Sequence, residues 1–284
     1  MEVRMGQQLT ITQRQRLIEL NAENNMIDRE FENAEDRNKF YRNVETQLVK
    51  ENKDKITKLL HFDHKPLALQ IENRIDKWLI EKEGFTRVVT PTIITAGMLE
   101  KMTITKEHPL TNQVFWLDSK RCLRPMLAPN LYEVMRDLHK ITKEPVRIFE
   151  SGSCFRKESQ GAQHLNEFTM LNFVELAGVQ VGEQMDRLKE LSKSAMQAIG
   201  IDHYEMVIEK SEVYGETLDI VVDDLELASG SYGPHVLDSK WGVFDTWVGI
   251  GFGIERIAMI LGKYQTIKRV GKSITYIDGA PLNL

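Results

Sequence analysis

The chain has 284 residues, of which 42% are hydrophobic and 28% charged, and it carries a formal net charge of −5. That is enough chain to bury a full core, with the make-up of an ordinary globular protein, and the charge excludes a globally basic nucleic-acid binder. No apolar run approaches the ~20 residues needed to span a bilayer, and Cys122 and Cys154, behind a start (MEVRMGQQLT) without a signal-peptide pattern, read as reduced thiols of a cytoplasmic protein.

The first third is polar and helical. Thr12 and Gln15 read as a capping box for a short helix running to about Leu20, before an Asn-rich break at 21–25. A second helix is expected from near Asp28, with Ile27, Phe31, Ala34, Tyr41, Val44 and Leu48 as a narrow apolar stripe. Its far end gathers Lys50, Lys53, Lys55 and Lys58, which suits either a solvated face or a nucleic-acid contact. His61 and His64 are too few to make a zinc site without further ligands. From Leu67 to Glu83 an amphipathic helix presents Leu67, Ile71, Ile75, Leu79 and Ile80, and Gly84 closes it. FTRVV then reads as a strand, and Pro91 stops it at an edge or an interface.

Residues 113–118 and 121–126 look like two short strands around Ser119-Lys120, and Ala128-Pro129-Asn130 starts a helix with proline in its first turn. Leu131, Met135 and Leu138 recur along it at helical spacing, a stripe that suits a core as well as a pocket. The centre of the chain is FRKESQGAQHLNEF (155–168), a polar loop joining two strand-like runs. Arg156 and Glu158 project from one face of an extended chain. In the following run Phe168, Met170, Asn172 and Val174 share one face, while Thr169, Leu171, Phe173 and Glu175 share the other. Arginine and asparagine make a costly floor for a core-facing sheet unless something polar lies against them.

A helix over 183–199 closes at Gly200, and strands are expected at 204–208, 217–222 and 225–228. In WVGIGFGIERIAMILG, Gly249, Gly251 and Gly253 alternate, leaving one strand face bare enough for a flat ring or a nucleotide. Arg256 stands at the start of the helix that follows, which ends at Gly262. The dinucleotide-binding spacing G-x-G-x-x-G fails, because position 254 is isoleucine.

Together these residues resemble the class II aminoacyl-tRNA synthetases. Three signatures of that family occur in order: the helix, Gly84, strand and Pro91; Phe155-Arg156-x-Glu158 with His164-x-x-x-Phe168; and Gly249-x-Gly251-x-Gly253-x-Glu255-Arg256. RPMLAPNLY, HLNEFTMLNF, VYGETLD and GFGIER bring the resemblance nearer to the pyrrolysine-specific branch, over roughly Leu60 to Leu284.

The resemblance implies an α+β fold, an antiparallel sheet flanked by helices, with a catalytic domain at 61–284. Residues 1–60 would be a helical N-terminal extension placed to touch tRNA. It implies the short form, without the separate basic tRNA-binding domain of longer members, and a homodimer with the Pro91 strand at its interface. The implied reaction is ATP-dependent ligation of pyrrolysine, or a related acylated lysine, to its amber suppressor tRNA through an aminoacyl-adenylate, with ATP as substrate and Mg²⁺ as metal.

By the same resemblance, Arg156 bridges the α-phosphate and the substrate carboxylate, Glu158 accepts from the adenine amino group, and Phe168 and Arg256 sandwich the ring. Arg256 and His164 reach the γ-phosphate. Glu226 and Ser229 fall at the Mg²⁺ positions; their three-residue spacing puts them on opposite faces of a regular strand, so either a bulge near Ser229-Gly230 or a water-mediated contact is expected. Asn172 would donate its amide to the substrate's acyl carbonyl. Leu131, Tyr132, Met135, Val174 and Trp247 would form the apolar chamber, capped by Tyr214. Gly230-Ser231-Tyr232 departs from the small apolar residues usual in that branch. Two alternatives stay open: a class II-like ligase that passes its adenylate to a small amine, and a non-catalytic paralogue that does not charge tRNA.

Overall fold

The computed structural model describes residues 7–61, 65–157, 163–211 and 213–284. Helix α1 (Ile11–Glu19) is opened by Thr10, whose hydroxyl accepts from the Gln13 N–H while the Gln13 side chain accepts from the Thr10 N–H. The cap therefore sits two residues before Thr12; both threonines precede a glutamine by three, so the pattern alone did not choose. After a short α2 (Asn24–Ile27), α3 (Ala34–Leu59) starts at an Asn33 cap. This is later than Asp28, because Phe31 is drawn into a backbone bridge with Gln7. Leu17, Leu20, Ile27, Phe31 and Leu48 make a small core of their own, on which Leu284 packs. The buried Arg269 ties it to the rest of the chain, donating to the carbonyls of Ile18, Glu19 and Gly279.

Helix α4 (Leu67–Glu81) buries Ile71, Ile75, Trp78 and Leu79. Ile80 is 51% exposed, contrary to expectation: the apolar stripe turns through Trp78, which meets Phe173 edge-on at 5.9 Å. Past Gly84, at φ +70°, come β1 (Thr86–Arg87), β2 (Ile93–Thr95) and α5 (Ala96–Lys101). Strand β3 (Arg121–Leu123) pairs with β2 and also meets 115–117 through a single Trp116–Cys122 bridge, with the Leu117 N–H donating to the Arg121 carbonyl and the Leu123 N–H to that of Phe115; a 3₁₀ turn (Pro109–Gln113) precedes it. Helix α6 (Ala128–Thr142) carries Pro129 in its first turn.

The long strands follow: β4 (Val146–Phe155) and β5 (Glu167–Leu176), then α7 (Gln184–Ile199), closed by Gly200 at φ +89°. Next are β6 (Glu205–Ser211), β7 (Gly215–Val222), β8 (Leu225–Gly233), α8 (Asp238–Trp241), β9 (Trp247–Gly253) and α9 (Ile254–Leu261). A last pair, β10 (Tyr276–Ile277) and β11 (Ala280–Pro281), ends the chain.

Seven strands form the main sheet in the order β1-β4-β5-β9-β8-β7-β6, antiparallel throughout except where β1 runs parallel to β4. Alternation divides its faces. Leu171, Phe173, Val248, Ile250 and Phe252 pack against the apolar sides of α4, α7 and α9. The opposite residues of β5 and β9 turn toward α6 and the loops, and there the site lies.

The Pro91 segment is pinned to this second face by buried polar groups. Arg124 (3% exposed) pairs with Glu150 (1%) at 2.8 Å, and Glu150 also accepts from the Thr90 N–H and hydroxyl. Asn130 donates to Thr90 Oγ1 and to the Pro91 carbonyl. The Arg124 side chain passes over Gly152, where an added Cβ would stand 2.1 Å from Nη2.

Candidate active site

The floor of the site is ruled by strand register. Asn172, Gly251 and Ser229 lie level across β5, β9 and β8, and Val174, Gly249 and Ser231 form the next row. Rows repeat every two residues, about 6.8 Å. One end carries Gly253 and Arg256, and the other is closed by Trp247.

The bare glycine face is partly used by the protein itself. A Cβ on Gly251 would stand 2.9 Å from both Oδ1 and Nδ2 of Asn172, so that glycine makes room for the amide. Over Gly253 lies the stem of Arg256, whose Cδ is 3.5 Å from such a Cβ. Among the described residues no hydrogen-bond partner reaches Asn172 Oδ1.

Arg156 and Arg256 line the same cavity, of about 400 Å³, with His164, Phe168, Glu226 and Ser229. The Arg156 guanidinium carbon is 5.4 Å from the Phe168 ring centroid, within cation–π range, and its Nε donates to the Pro125 carbonyl at 2.9 Å. Arg256 Nη1 donates to the Glu226 carbonyl at 2.9 Å and approaches Oε1 at 3.3 Å. The same cavity is lined further in by Leu131, Tyr132, Met135, Asn172, Val174, Tyr214 and Trp247. Glu158 and His64 lie outside the described residues.

Strand β8 does bulge, but at Leu227. Ile220 pairs with Ala228 and Val221 with Glu226, so Leu227 is the extra residue, buried with Ala228 against the helices. One inserted residue restores parity and brings Glu226, Ser229 and Ser231 to the cavity. The expected position, Ser229-Gly230, is regular because Gly230 packs on Leu188 of α7, 2.9 Å from where its Cβ would be. Ser229 donates its hydroxyl to Asp219 Oδ1 at 2.6 Å, which leaves its lone pairs for another partner.

At the closed end one buried carboxylate holds the aromatic walls. Asp238, 1% exposed, accepts from the Tyr132 hydroxyl and from the Trp247 indole N–H, each at 2.8 Å, and from the His235 N–H at 2.5 Å. Burial pushes the phenols of Tyr132 and Tyr214 up, so both stay protonated. Gly233 permits this packing: its Cβ would fall 1.9 Å from Trp247 Nε1.

The family model for the class II core domain of tRNA synthetases matches residues 55–277. A crystal structure of pyrrolysyl-tRNA synthetase from Desulfitobacterium hafniense superposes with a TM-score of 0.91 at 48% identity, over 99% of this chain and 100% of that one. A second structure from the same organism gives 0.89 at 46%, over 100% and 98%. The chain belongs to the class II aminoacyl-tRNA synthetases, among the pyrrolysyl-tRNA synthetases. More distant curated relatives of this synthetase include the O-phosphoserine–tRNA(Cys) ligase of Methanococcus maripaludis, 24% identical over 78% of the chain. Another is the phenylalanine–tRNA ligase alpha subunit of Malacoplasma penetrans, 23% identical over 73% of the chain and 67% of that protein. The chain spans 41% of the length of the O-phosphoserine ligase.

Sequence reasoning missed several groups in this synthetase's site. Ser231 carried a usable signal, because it follows Ser229 by two on one strand. Asp238 carried none: its two aromatic partners lie 106 and 9 residues away, and no motif surrounds it. Glu255 was part of the glycine-rich signature without a role. It is buried, and both its oxygens accept from the Thr169 N–H at 2.9 Å, which locks the start of α9 to β5. Burial holds its carboxyl above the usual range.

Proposed function

We propose that this synthetase uses ATP to activate pyrrolysine, or a related acylated lysine, and transfers it to its cognate suppressor tRNA. The observation that carries this reading is that two arginines from separate motifs line one cavity that continues into a chamber floored by the Asn172 amide.

Activation needs no general base. The amino-acid carboxylate is already charged at neutral pH; it attacks the α-phosphorus and displaces pyrophosphate. The enzyme must therefore supply cationic stabilisation and in-line placement. Arg156 would grip the α-phosphate and the carboxylate at once, a task for a planar guanidinium fork. Arg256 and His164 would hold the departing end, and Phe168 and Arg256 the adenine, with Glu158 on its amino group. In the second step a terminal ribose hydroxyl of tRNA attacks the activated carbonyl, and AMP leaves with the phosphate oxygen as proton acceptor.

Glu226 and Ser229 fit a magnesium ion held mainly by substrate phosphates: they are oxygen donors on one face, and no cluster of three protein ligands stands among the described residues. When bound, the ion would neutralise phosphate charge. Asn172, which lines the cavity, would donate its Nδ2 to the acyl carbonyl and disfavour plain lysine.

A homodimer fits the apolar surface around Pro91, where Val89 (87% exposed), Ile93, Trp116 and Leu117 face outward. A cytoplasmic location fits Cys122 and Cys154, both buried and unbridged. The N-terminal helices would meet tRNA through Lys50, Lys53 and Lys58; Lys55 is engaged with Tyr264 of the catalytic part. The test is purified chain with ATP, a panel of acylated lysines and the matching suppressor tRNA, with charging followed on acid gels. Charging of an acylated lysine supports the reading. Pyrophosphate exchange without charging selects a ligase that serves a small amine, and the absence of both selects a non-catalytic paralogue.

A further inference from the structure

The closed end of the chamber contains one hydroxyl that the protein leaves unused. Ser231 is 7% exposed, and no hydrogen-bond partner reaches its Oγ among the described residues. Because Gly230 faces Leu188 of the helix layer, alternation turns Ser231 into the cavity, which it lines.

Three other polar groups at this end are engaged. Tyr132 and Trp247 donate to Asp238, and Ser211 Oγ accepts from the N–H groups of Val213 and Tyr214. Opposite Ser231, across Gly249, stands Val174, which has no hydrogen-bonding group. Ser231 is also one row beyond Asn172, about 6.8 Å further from the phosphate end. With the acyl carbonyl on Asn172, that row meets the acyl group itself.

An apolar acyl group would seal this hydroxyl from water without a partner, at a cost; a heteroatom in reach would remove the cost. We infer that Ser231 is a specificity determinant that hydrogen-bonds a ring or chain heteroatom of the acyl group, so that preferred substrates are Nε-acyl lysines bearing an oxygen or nitrogen beyond the carbonyl. This inference rests on the acylated-lysine reading of the site.

The experiment compares two substrates of equal shape, Nε-(cyclopentanecarbonyl)lysine and Nε-(oxolane-2-carbonyl)lysine, which differ by one methylene replaced with oxygen. ATP–pyrophosphate exchange is measured with the wild type and with Ser231→Ala and Ser231→Val. The wild type should favour the oxolane by about tenfold in kcat/KM, the worth of one neutral hydrogen bond. Both variants should bring the ratio near one while retaining or improving use of the cyclopentane compound. A wild-type ratio near one overturns the assignment without recourse to any variant, as does a preference that survives both substitutions. Exchange with neither compound would remove the acylated-lysine reading as well, an outcome distinct from exchange with both at equal rates.

Discussion

Trp247 donates its indole N–H to Asp238 at 2.8 Å, and the other oxygen of the same carboxylate takes the Tyr132 hydroxyl at 2.8 Å. A strand, a long helix and a short helix thus meet at one buried acid, and the chamber's aromatic walls take their positions from it. Asp238→Asn keeps the volume but loses an acceptor. It should cost about 1–3 kcal/mol of stability in urea unfolding. The KM for the amino acid should rise at least about tenfold, with the KM for ATP little changed, since the nucleotide end lies rows away. Equal effects on both KM values would show a general loss of structure instead.

Gly251 is expected to matter through Asn172. A methyl group there meets both amide atoms at 2.9 Å, so Gly251→Ala should push the amide aside and reproduce Asn172→Ala. Both variants should change which lysine derivatives are accepted more than they change the maximal rate of exchange. The measurement is a specificity profile over a panel of acylated lysines, and dissimilar profiles would separate the two residues.

The Arg124–Glu150 pair is buried on both sides and fixes the Pro91 segment. Glu150→Ala leaves the guanidinium uncompensated and should cost about 3–5 kcal/mol. Urea titration checks this, and a loss below about 1 kcal/mol would mean that Arg124 finds other partners.

The two thiols give a dependence on pH. Burial pushes Cys122 up to about 11 and Cys154 up to about 12, against about 8.5 in an unfolded chain. The native state therefore keeps protons that the unfolded state releases, so stability from these groups is full below about pH 8.5 and falls as pH rises above it. Native protein should resist a thiol reagent at pH 8 and react at both cysteines once unfolded. Rapid native labelling would contradict their burial.

Much of this fold was legible because its signals are periodic. The parity of 168–174 placed Phe168, Met170, Asn172 and Val174 on one face, and the stripe of α4 was readable apart from Trp78 and Ile80, which lie on different sides of the helix and of which packing on Phe173 buries Trp78. The bulge in β8 was expected from the need to align Glu226 with Ser229. Its position at Leu227 depends on which residue the helices bury, a tertiary fact. Asp238 was illegible for the same reason: its meaning comes from Tyr132 and Trp247, brought to it by separate elements. The pairing of β2 with β3 likewise joins segments that local propensity treats separately.

The central claim is that Arg156 and Arg256 serve one nucleotide in one cavity. The direct measurement is ATP–pyrophosphate exchange by Arg156→Ala with a saturating acylated lysine, beside a circular dichroism melt to show that the fold is kept. Loss of one phosphate-directed donor should lower exchange by at least about 10²-fold with the melt unchanged. Exchange at the wild-type rate from a folded variant would contradict the account.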